Sequence, residues 1–379
     1  MPSAPRSTAS KPALLPYYAQ TMPGVEQIAW LEAHQRFPGA RLKEYLFAKE
    51  RNGILVFDYD GSAESLLELR TVEDVFLLAL SSEIASRGRG ALQEVTRAIE
   101  ADPLFGQAVH VFSKLRGRAS RLTYRVVTRM EGQHQFRRVD VEQAVLKGLG
   151  RRLGDTWLLV EEDANLEVWT NLLGGRLLCG LRLSDRTMRH RAYQTAHLPT
   201  SLRPSVAAAM VFLTTPDEHD TFLDPMCGSG TLLAERMLVG KYQQALGGDS
   251  VARHVETARK NLAGLGGHWR VSRWDARKLP LASESIDAVA TNPPFGKQIG
   301  SRNEVEQLYP AFLAELARVL KRGGRAVILS SQYELLKAAV RQQSSLQIVR
   351  GYSVAVLGEW GRIYLLQKDG LKKDERSYI

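Results

Sequence analysis

From about residue 221 onward, short runs of apolar and β-branched residues alternate with stretches whose apolar positions recur at helical spacing. The pattern predicts strands over 221–226, 244–250, 269–276 and 286–292, with helices over 231–239 and 251–265. It continues with a helix over 305–320, a strand over 325–331 and a helix over 333–341. Strands and helices that alternate in this way build a doubly wound parallel sheet with helices on both faces. The last two apolar runs, 348–357 and 362–368, have no helix between them, so they predict an antiparallel hairpin and one strand reversed relative to the rest. Dinucleotide dehydrogenases usually continue with further crossovers, so this ending argues against them.

Upstream the pattern is less regular. Residues 16–80 predict a small α/β unit with a helix over 25–35 and a strand over 54–58. Residues 81–180 predict a second, with helices over 90–101 and 139–152 and strands over 124–129, 157–161 and 166–172. Residues 1–15 are polar and proline-broken and read as a loose tail. Residues 181–205 form a linker and the start of the first helix of a C-terminal domain covering 206–379. A chain of 379 residues is long enough for two or three such domains, each with its own core.

Composition narrows the setting. The two cysteines, Cys179 and Cys227, offer neither a disulfide framework nor a metal-ligand spacing, so a reducing cytoplasm is expected and no metal is called for. No run of about 18 apolar residues exists to cross a bilayer, and the N-terminus lacks the apolar core of a secretory signal. Net charge is +10. Residues 111–152 hold eleven Lys or Arg against three acids, a local excess of eight. Arg116, Arg118, Arg121, Arg137, Arg138, Lys147, Arg151 and Arg152 are therefore the candidate contacts to a polyanion, with Lys297 in second rank; an ordinary solvated surface is the competing account.

Two short strings carry chemistry. Asp224-Pro-Met-Cys-Gly-Ser-Gly-Thr231 ends the first strand of the C-terminal sheet and turns into a helix, which puts backbone N–H groups at the sheet edge where open α/β sheets bind ligands. The dinucleotide fingerprint would want a third glycine at 233, where Leu233 stands. Pro225, Cys227, Gly228, Gly230 and Thr231 are candidate cofactor contacts, and Asp224 suits an ammonium group. Asp249, about twenty residues on and followed by Ser250, suits the two hydroxyls of a ribose; its alternative is a helix cap. Asp275 suits the amino group of adenine, with the N–H of Ala276 beside it; its alternative is a surface loop acid. Cys227 reads as a small packed residue.

The second string, Thr291-Asn-Pro-Pro-Phe-Gly296, follows the fourth strand on the same edge. An exocyclic amine becomes nucleophilic when acceptors hold its N–H groups and the nitrogen can pyramidalise. The Asn292 side-chain oxygen is one acceptor and the Pro293 carbonyl the other, in a turn that Pro294 stiffens. Phe295 offers a stacking face for a base swung out of its helix. Asn292 also sits where it can face the cofactor. No cysteine nucleophile stands in this loop for methylation at a pyrimidine carbon, and no lysine-rich set for ribose methylation. Guanine N2, adenine N6 and cytosine N4 remain open on the loop alone.

With these residues in place the chain resembles the S-adenosylmethionine-dependent RNA N2-guanine methyltransferases that carry an N-terminal THUMP domain, and most closely those that modify guanosine 6 of the tRNA acceptor stem. The resemblance implies a Rossmann-like α/β methyltransferase domain, a seven-stranded sheet with a reversed edge strand. Before it would come a ferredoxin-like domain over 16–80 and a THUMP RNA-binding domain over 81–180. It implies S-adenosyl-L-methionine as cofactor and RNA, in particular tRNA, as partner, in a monomer without membrane or metal. Amino-methyltransferases commonly place Asp at the first position of the loop, whereas Asn292 stands here; an amide orients the amine and leaves proton loss to solvent. The alternatives are an rRNA guanine-N2 enzyme, a DNA adenine or protein-glutamine N-methyltransferase, and a non-catalytic RNA-binding protein.

Overall fold

The computed structural model describes residues 14–48, 52–116, 122–294, 302–356 and 358–369. The expected roles of Arg118, Arg121, Phe295 and Lys297, and most of both tails, lie outside them, as does the side chain of Arg116. The chain divides into two compact units. One holds residues up to Thr21 and Trp30–Met188; the other holds Met22–Ala29 and Arg189–Ile379.

In the first unit, β1 (Leu15–Thr21), α1 (Glu26–Arg36, shared with the second unit), β2 (Arg41–Ala48), β3 (Asn52–Tyr59) and β4 (Asp74–Glu83) come first. They are followed by α2 (Gly90–Ala101), α3 (Pro103–Arg116), β5 (Thr123–Glu131), α4 (Arg138–Leu153), β6 (Leu158–Leu159), β7 (Leu166–Leu173) and β8 (Arg176–Arg182). Among the described residues these strands form one eight-stranded sheet in the order β2-β3-β1-β4-β8-β7-β5-β6. Antiparallel pairing of β4 with β8 joins the segments 16–80 and 81–180 in that sheet. The strand expected over 157–161 shrinks to two residues at the sheet edge, while β2, β4, α3 and β8 lie where no element was expected.

The second unit runs α5 (Pro204–Leu213), β9 (Thr221–Asp224), α6 (Thr231–Val239), β10 (Gln244–Asp249), α7 (Ala252–Leu262) and β11 (Trp269–Arg273). It continues with β12 (Ile286–Thr291), α8 (Arg302–Val319), β13 (Leu320–Ser330), α9 (Tyr333–Arg341), β14 (Leu346–Val356) and β15 (Glu359–Lys368). The sheet order is β11-β10-β9-β12-β13-β15-β14. Alternation along each strand sends side chains to two separate cores. Phe222, Ala245, Ala288, Val327 and Ile363 pack with α5, α6 and α7. Their neighbours Leu223, Leu246, Val289, Ile328 and Tyr364 pack with α8 and α9. A strand buried on both faces needs apolar residues at successive positions, which is why these runs read as continuous.

The reversed strand is β15, antiparallel to both β13 and β14. It lies one place in from the edge, not at the edge as expected, because the hairpin folds back and leaves β14 outermost. The segment 22–29 joins this unit: Val25 and Ile28 enter the core of α5 to α7, and the Pro23 carbonyl accepts the Ala355 N–H at 2.9 Å. Gly24 permits that approach, since a Cβ there would lie 1.9 Å from the Ser353 carbonyl oxygen.

Candidate functional site

The parallel strands β9, β10 and β12 end side by side, so the residues just after them share one edge. After β9 the chain turns through Gly228 (φ +51) and Gly230 (φ +80), both in the left-handed region that glycine tolerates. The turn is pinned by Cys227 N–H to the Gly248 carbonyl at 2.8 Å and Gly230 N–H to the Cys227 carbonyl at 2.7 Å. A Cβ on Gly230 would press on Ala258 of α7 at 3.2 Å. A Cβ on Gly228 would meet nothing within 4 Å, so the turn faces open space there. Two glycines of β10 let side chains pass beneath the site. Leu233 fills the room at Gly247, and the Trp274 ring lies where a Cβ of Gly248 would be, donating from Nε1 to the Pro225 carbonyl at 3.0 Å. Leu233 is thus core, in the place where a dinucleotide turn would keep glycine.

Around that open space lies a cavity of about 220 Å³. Its lining brings together Asp224, Pro225, Cys227, Gly228, Thr231, Asp249, Ser250, Asp275, Ala276, Asn292, Pro293 and Pro294. Gly230 is not in it and supports the turn from behind. Asp224 is 1% exposed, and burial pushes its carboxyl up to about 7, against the Met226 N–H that it accepts at 3.3 Å. Asp249 ties two elements together. One carboxylate oxygen accepts the Gly228 N–H at 3.1 Å, and the other accepts from Val251 N–H at 3.0 Å and lies 3.1 Å from His254 Nδ1. It brackets the turn before α7 and is not that helix's N-cap, which is Val251. Asp275 is more exposed, and Arg277 grips it with Nε at 3.0 Å from both oxygens and Nη2 at 2.7 Å. That contact holds its carboxyl below the usual range. Cys227 is buried, and burial raises its thiol well above the ordinary value, which fits a packed residue.

Asn292 differs from all of these. Its Oδ1 is buried and has no hydrogen-bond partner among the described residues. An amide oxygen left in that state costs about 1–3 kcal/mol, so the arrangement favours a donor arriving in the cavity.

Several lining residues had no signal in the sequence. Leu198 to Leu202 close one side, with Ser201 and Ser229 hydroxyls 2.9 Å apart. His254 flanks Asp249 from α7. Val356 and Glu359, register partners across the β14–β15 hairpin, close another side. Only the proline at the start of α5 hinted that 198–204 is ordered.

The basic candidates fare differently. Arg152 donates to the Ile99 and Glu100 carbonyls at 3.1 and 2.8 Å, neutralising the end of α2, and lies over the Phe105 ring; it acts as a helix-end residue. Arg151 pairs with Glu100 at 2.9 Å and Arg138 with Glu142 at 2.8 Å. Arg137 pairs loosely with Asp140 at 3.4 Å and stays 81% exposed, and Lys147 is exposed.

A parallel sheet with one inserted reversed strand, carrying at one edge three carboxylates, a glycine turn and an amide oxygen unpartnered among the described residues, is that of a Rossmann-like methyltransferase domain whose methyl donor is S-adenosyl-L-methionine. Residues 191–359 match the UPF0020 family model, described as an RMKL-like methyltransferase domain. The chain is 29% identical over 356 residues to a tRNA (guanine(6)-N2)-methyltransferase of Thermus thermophilus, a match covering 92% of this chain and 98% of that one. It is 30% identical over 227 residues to the bovine tRNA (guanine(6)-N(2))-methyltransferase THUMP3, covering 56% of this chain and 45% of that protein, so it spans under half of that relative's length. Among solved structures, TrmN from Thermus thermophilus matches with a TM-score of 0.75 at 26% identity, over 93% of this chain and 99% of that one. SMU.472 complexed with SAH matches with a TM-score of 0.70 at 16% identity, over 95% and 99%, a likeness of fold alone.

Proposed function

We propose that this chain methylates the exocyclic N2 amine of a guanosine in tRNA, at position 6 of the acceptor stem as the names of its relatives indicate. The Oδ1 of Asn292, buried and without a hydrogen-bond partner among the described residues, carries the proposal, because Asn292 lines the same cavity as the carboxylates suited to the cofactor. The residues fit S-adenosyl-L-methionine by their chemistry: Asp224 for the ammonium, Asp249 for the ribose hydroxyls, Asp275 with the Ala276 N–H for adenine, and open space over Gly228 for close approach. Bound there, the cofactor supplies an electrophilic methyl group on a sulfonium sulfur. Asn292 Oδ1 and the Pro293 carbonyl accept the two N–H bonds of the amine and turn its lone pair out of the ring. The two prolines hold these acceptors in place beforehand, so no reorganisation is needed when the substrate arrives. Asn292 keeps no proton, and the one released after transfer goes to solvent.

Glu359 favours guanine over the other amines. Guanine carries an N1–H beside its N2 amine, whereas adenine and cytosine present an unprotonated ring nitrogen beside theirs. A carboxylate only accepts, so one lining this cavity suits the guanine edge and opposes the other two. Residues 81–180 are proposed as the THUMP domain that grips RNA, with Arg137, Arg138 and Lys147 as its contacts, and 16–80 as the ferredoxin-like support. Two buried unpaired cysteines accord with a reducing cytoplasm.

The test is mass spectrometry of nucleosides from tRNA incubated with the protein and S-adenosyl-L-methionine. N2-methylguanosine is expected; methyl groups found only on adenine, cytosine, DNA or protein would overturn the proposal. Asn292→Ala should retain cofactor affinity and lose about 100-fold or more in kcat.

A further inference from the structure

A second concave feature of the methyltransferase unit lies away from the cofactor cavity. It is an open groove of about 730 Å³ between α9 and the outer strands β14 and β15. Lys337 and Arg341 line it from the helix, Arg350 and Arg362 from the strands, and no acidic side chain is in the lining. Lys337 reaches Glu334 at 3.3 Å, but that carboxylate is 84% exposed and holds it weakly. Arg362 touches the Ser353 hydroxyl at 3.4 Å and lies over the Tyr333 and Tyr364 rings at 6.0 Å. Tyr364, which also lines the groove, is only 2% exposed, and its hydroxyl is buried with no hydrogen-bond partner among the described residues.

Resting on the reading that the substrate is an RNA, we propose that this groove holds the phosphate backbone of that RNA, flanking the nucleotide that enters the cofactor cavity. Four cations without an acid in the lining complement a polyanion. The position suits it. From Arg350 the strand runs six residues to Val356, which lines the cofactor cavity, a span of about 20 Å at the rise of a β-strand. That is several nucleotides of backbone beyond the reacting base.

The charges alone have a plainer explanation, protection of an exposed sheet edge: Pro23 and Gly24 cover β14 near Ser353 and Ala355, while Gln347 to Gly351 are exposed. Edge protection does not account for Lys337 and Arg341, which stand on α9 and not on the edge strand. A second copy of the chain pairing along this edge is also disfavoured, since it would bring Arg350 of each copy into a cationic interface.

Binding of transcribed tRNA to the full chain is measured across a salt series for the parent, for Arg341→Glu/Arg350→Glu and for Tyr364→Phe. The double variant is expected to bind at least about tenfold more weakly at fixed salt, with a log–log salt slope shallower by about 1.5, because each neutralised phosphate contributes about 0.7–0.9. Tyr364→Phe, at a buried position, is the control and should leave affinity and slope unchanged. Affinity for S-adenosyl-L-methionine should be unaltered in both, which shows that they fold; if the double variant fails that control, Arg341→Gln/Arg350→Gln replaces it and the slope decides. Parent-like affinity and slope in the double variant would overturn the proposal, as would a changed oligomeric state with unchanged RNA binding. A parent protein that binds cofactor but shows no salt-dependent tRNA binding would instead overturn the RNA reading itself.

Discussion

The sharpest prediction concerns Asp224. Its carboxyl is buried and pushed up to about 7, yet the role proposed for it, holding an ammonium group, requires the ionised form. Cofactor affinity should therefore weaken as the carboxyl takes up a proton. With a value of about 7, the fraction ionised falls from about nine-tenths at pH 8 to about one-tenth at pH 6, so the dissociation constant should rise about tenfold, or about 1.4 kcal/mol. The same group affects stability with the opposite benefit. Folding raises its value above the ordinary 3.8, so the folded chain keeps a proton that the unfolded chain has released. The stability this provides is fully present below about pH 4 and is lost as pH rises through 7, an effect of up to about 4 kcal/mol. Asp224→Asn removes the charge but keeps an oxygen for the Met226 N–H. At pH 8 the cofactor-free variant should unfold at a higher temperature than its parent, while binding cofactor about tenfold or more weakly, as for loss of a hydrogen bond to a charged group. Calorimetric titration at pH 6, 7 and 8, with thermal unfolding at the same values, measures both. A parent dissociation constant that stays flat from pH 8 to 6 would show that Asp224 does not hold the ammonium as an ionised carboxylate, and a variant less stable than its parent at pH 8 would show that burial does not penalise its charge.

Two further substitutions probe the site from different sides. Gly248→Ala places a Cβ 2.0 Å from the Trp274 ring and should cost about 1–3 kcal/mol as the ring is forced off the Pro225 carbonyl; an unchanged unfolding temperature would contradict that packing. Glu359→Gln should reduce kcat/KM for guanosine in the tRNA by about tenfold or more and narrow the preference over 2-aminopurine at the same position, with cofactor affinity intact; an unchanged preference would remove Glu359 from base recognition.

What the sequence disclosed and what it hid divide along physical lines. The strands of the second unit were legible because burial on both faces demands long apolar runs, and Gly228 and Asp249 because a tight turn and a strand-end carboxylate each need a particular residue type. Asn292 was legible for the same reason. The first unit was harder. β2 and β8 lie where no strand was expected, and the pairing of β4 with β8 that unites the sheet spans about a hundred residues. Charge was the least legible property. A count of arginines over 111–152 could not show that Arg152 is occupied by the carbonyls at the end of α2, nor that the acids near Arg138 and Arg151 already engage them. The cations of the groove on the second unit are scattered from 337 to 362 and form no cluster in sequence. They converge only because α9 packs beside the hairpin.

The site also shows why its polar groups are arranged at a cost. Asp224 is driven toward neutrality by burial, and Asn292 carries an acceptor that nothing in the described chain satisfies. Each penalty is relieved by a different ligand, the first by a cation and the second by an N–H donor. Their relief is not independent, because both groups line one cavity of about 220 Å³, and filling one part of it excludes water from the rest. With the cofactor seated, water can no longer reach Asn292 through fluctuations of the cavity wall, so its unmet acceptor stays costly and the amine should bind more tightly to the cofactor-loaded protein than to the free one. By linkage the tRNA should tighten cofactor binding by the same factor. A cofactor dissociation constant unchanged by saturating tRNA would mean that the two halves of the site are energetically separate, and that the unpartnered amide is solvated whether or not the cofactor is present.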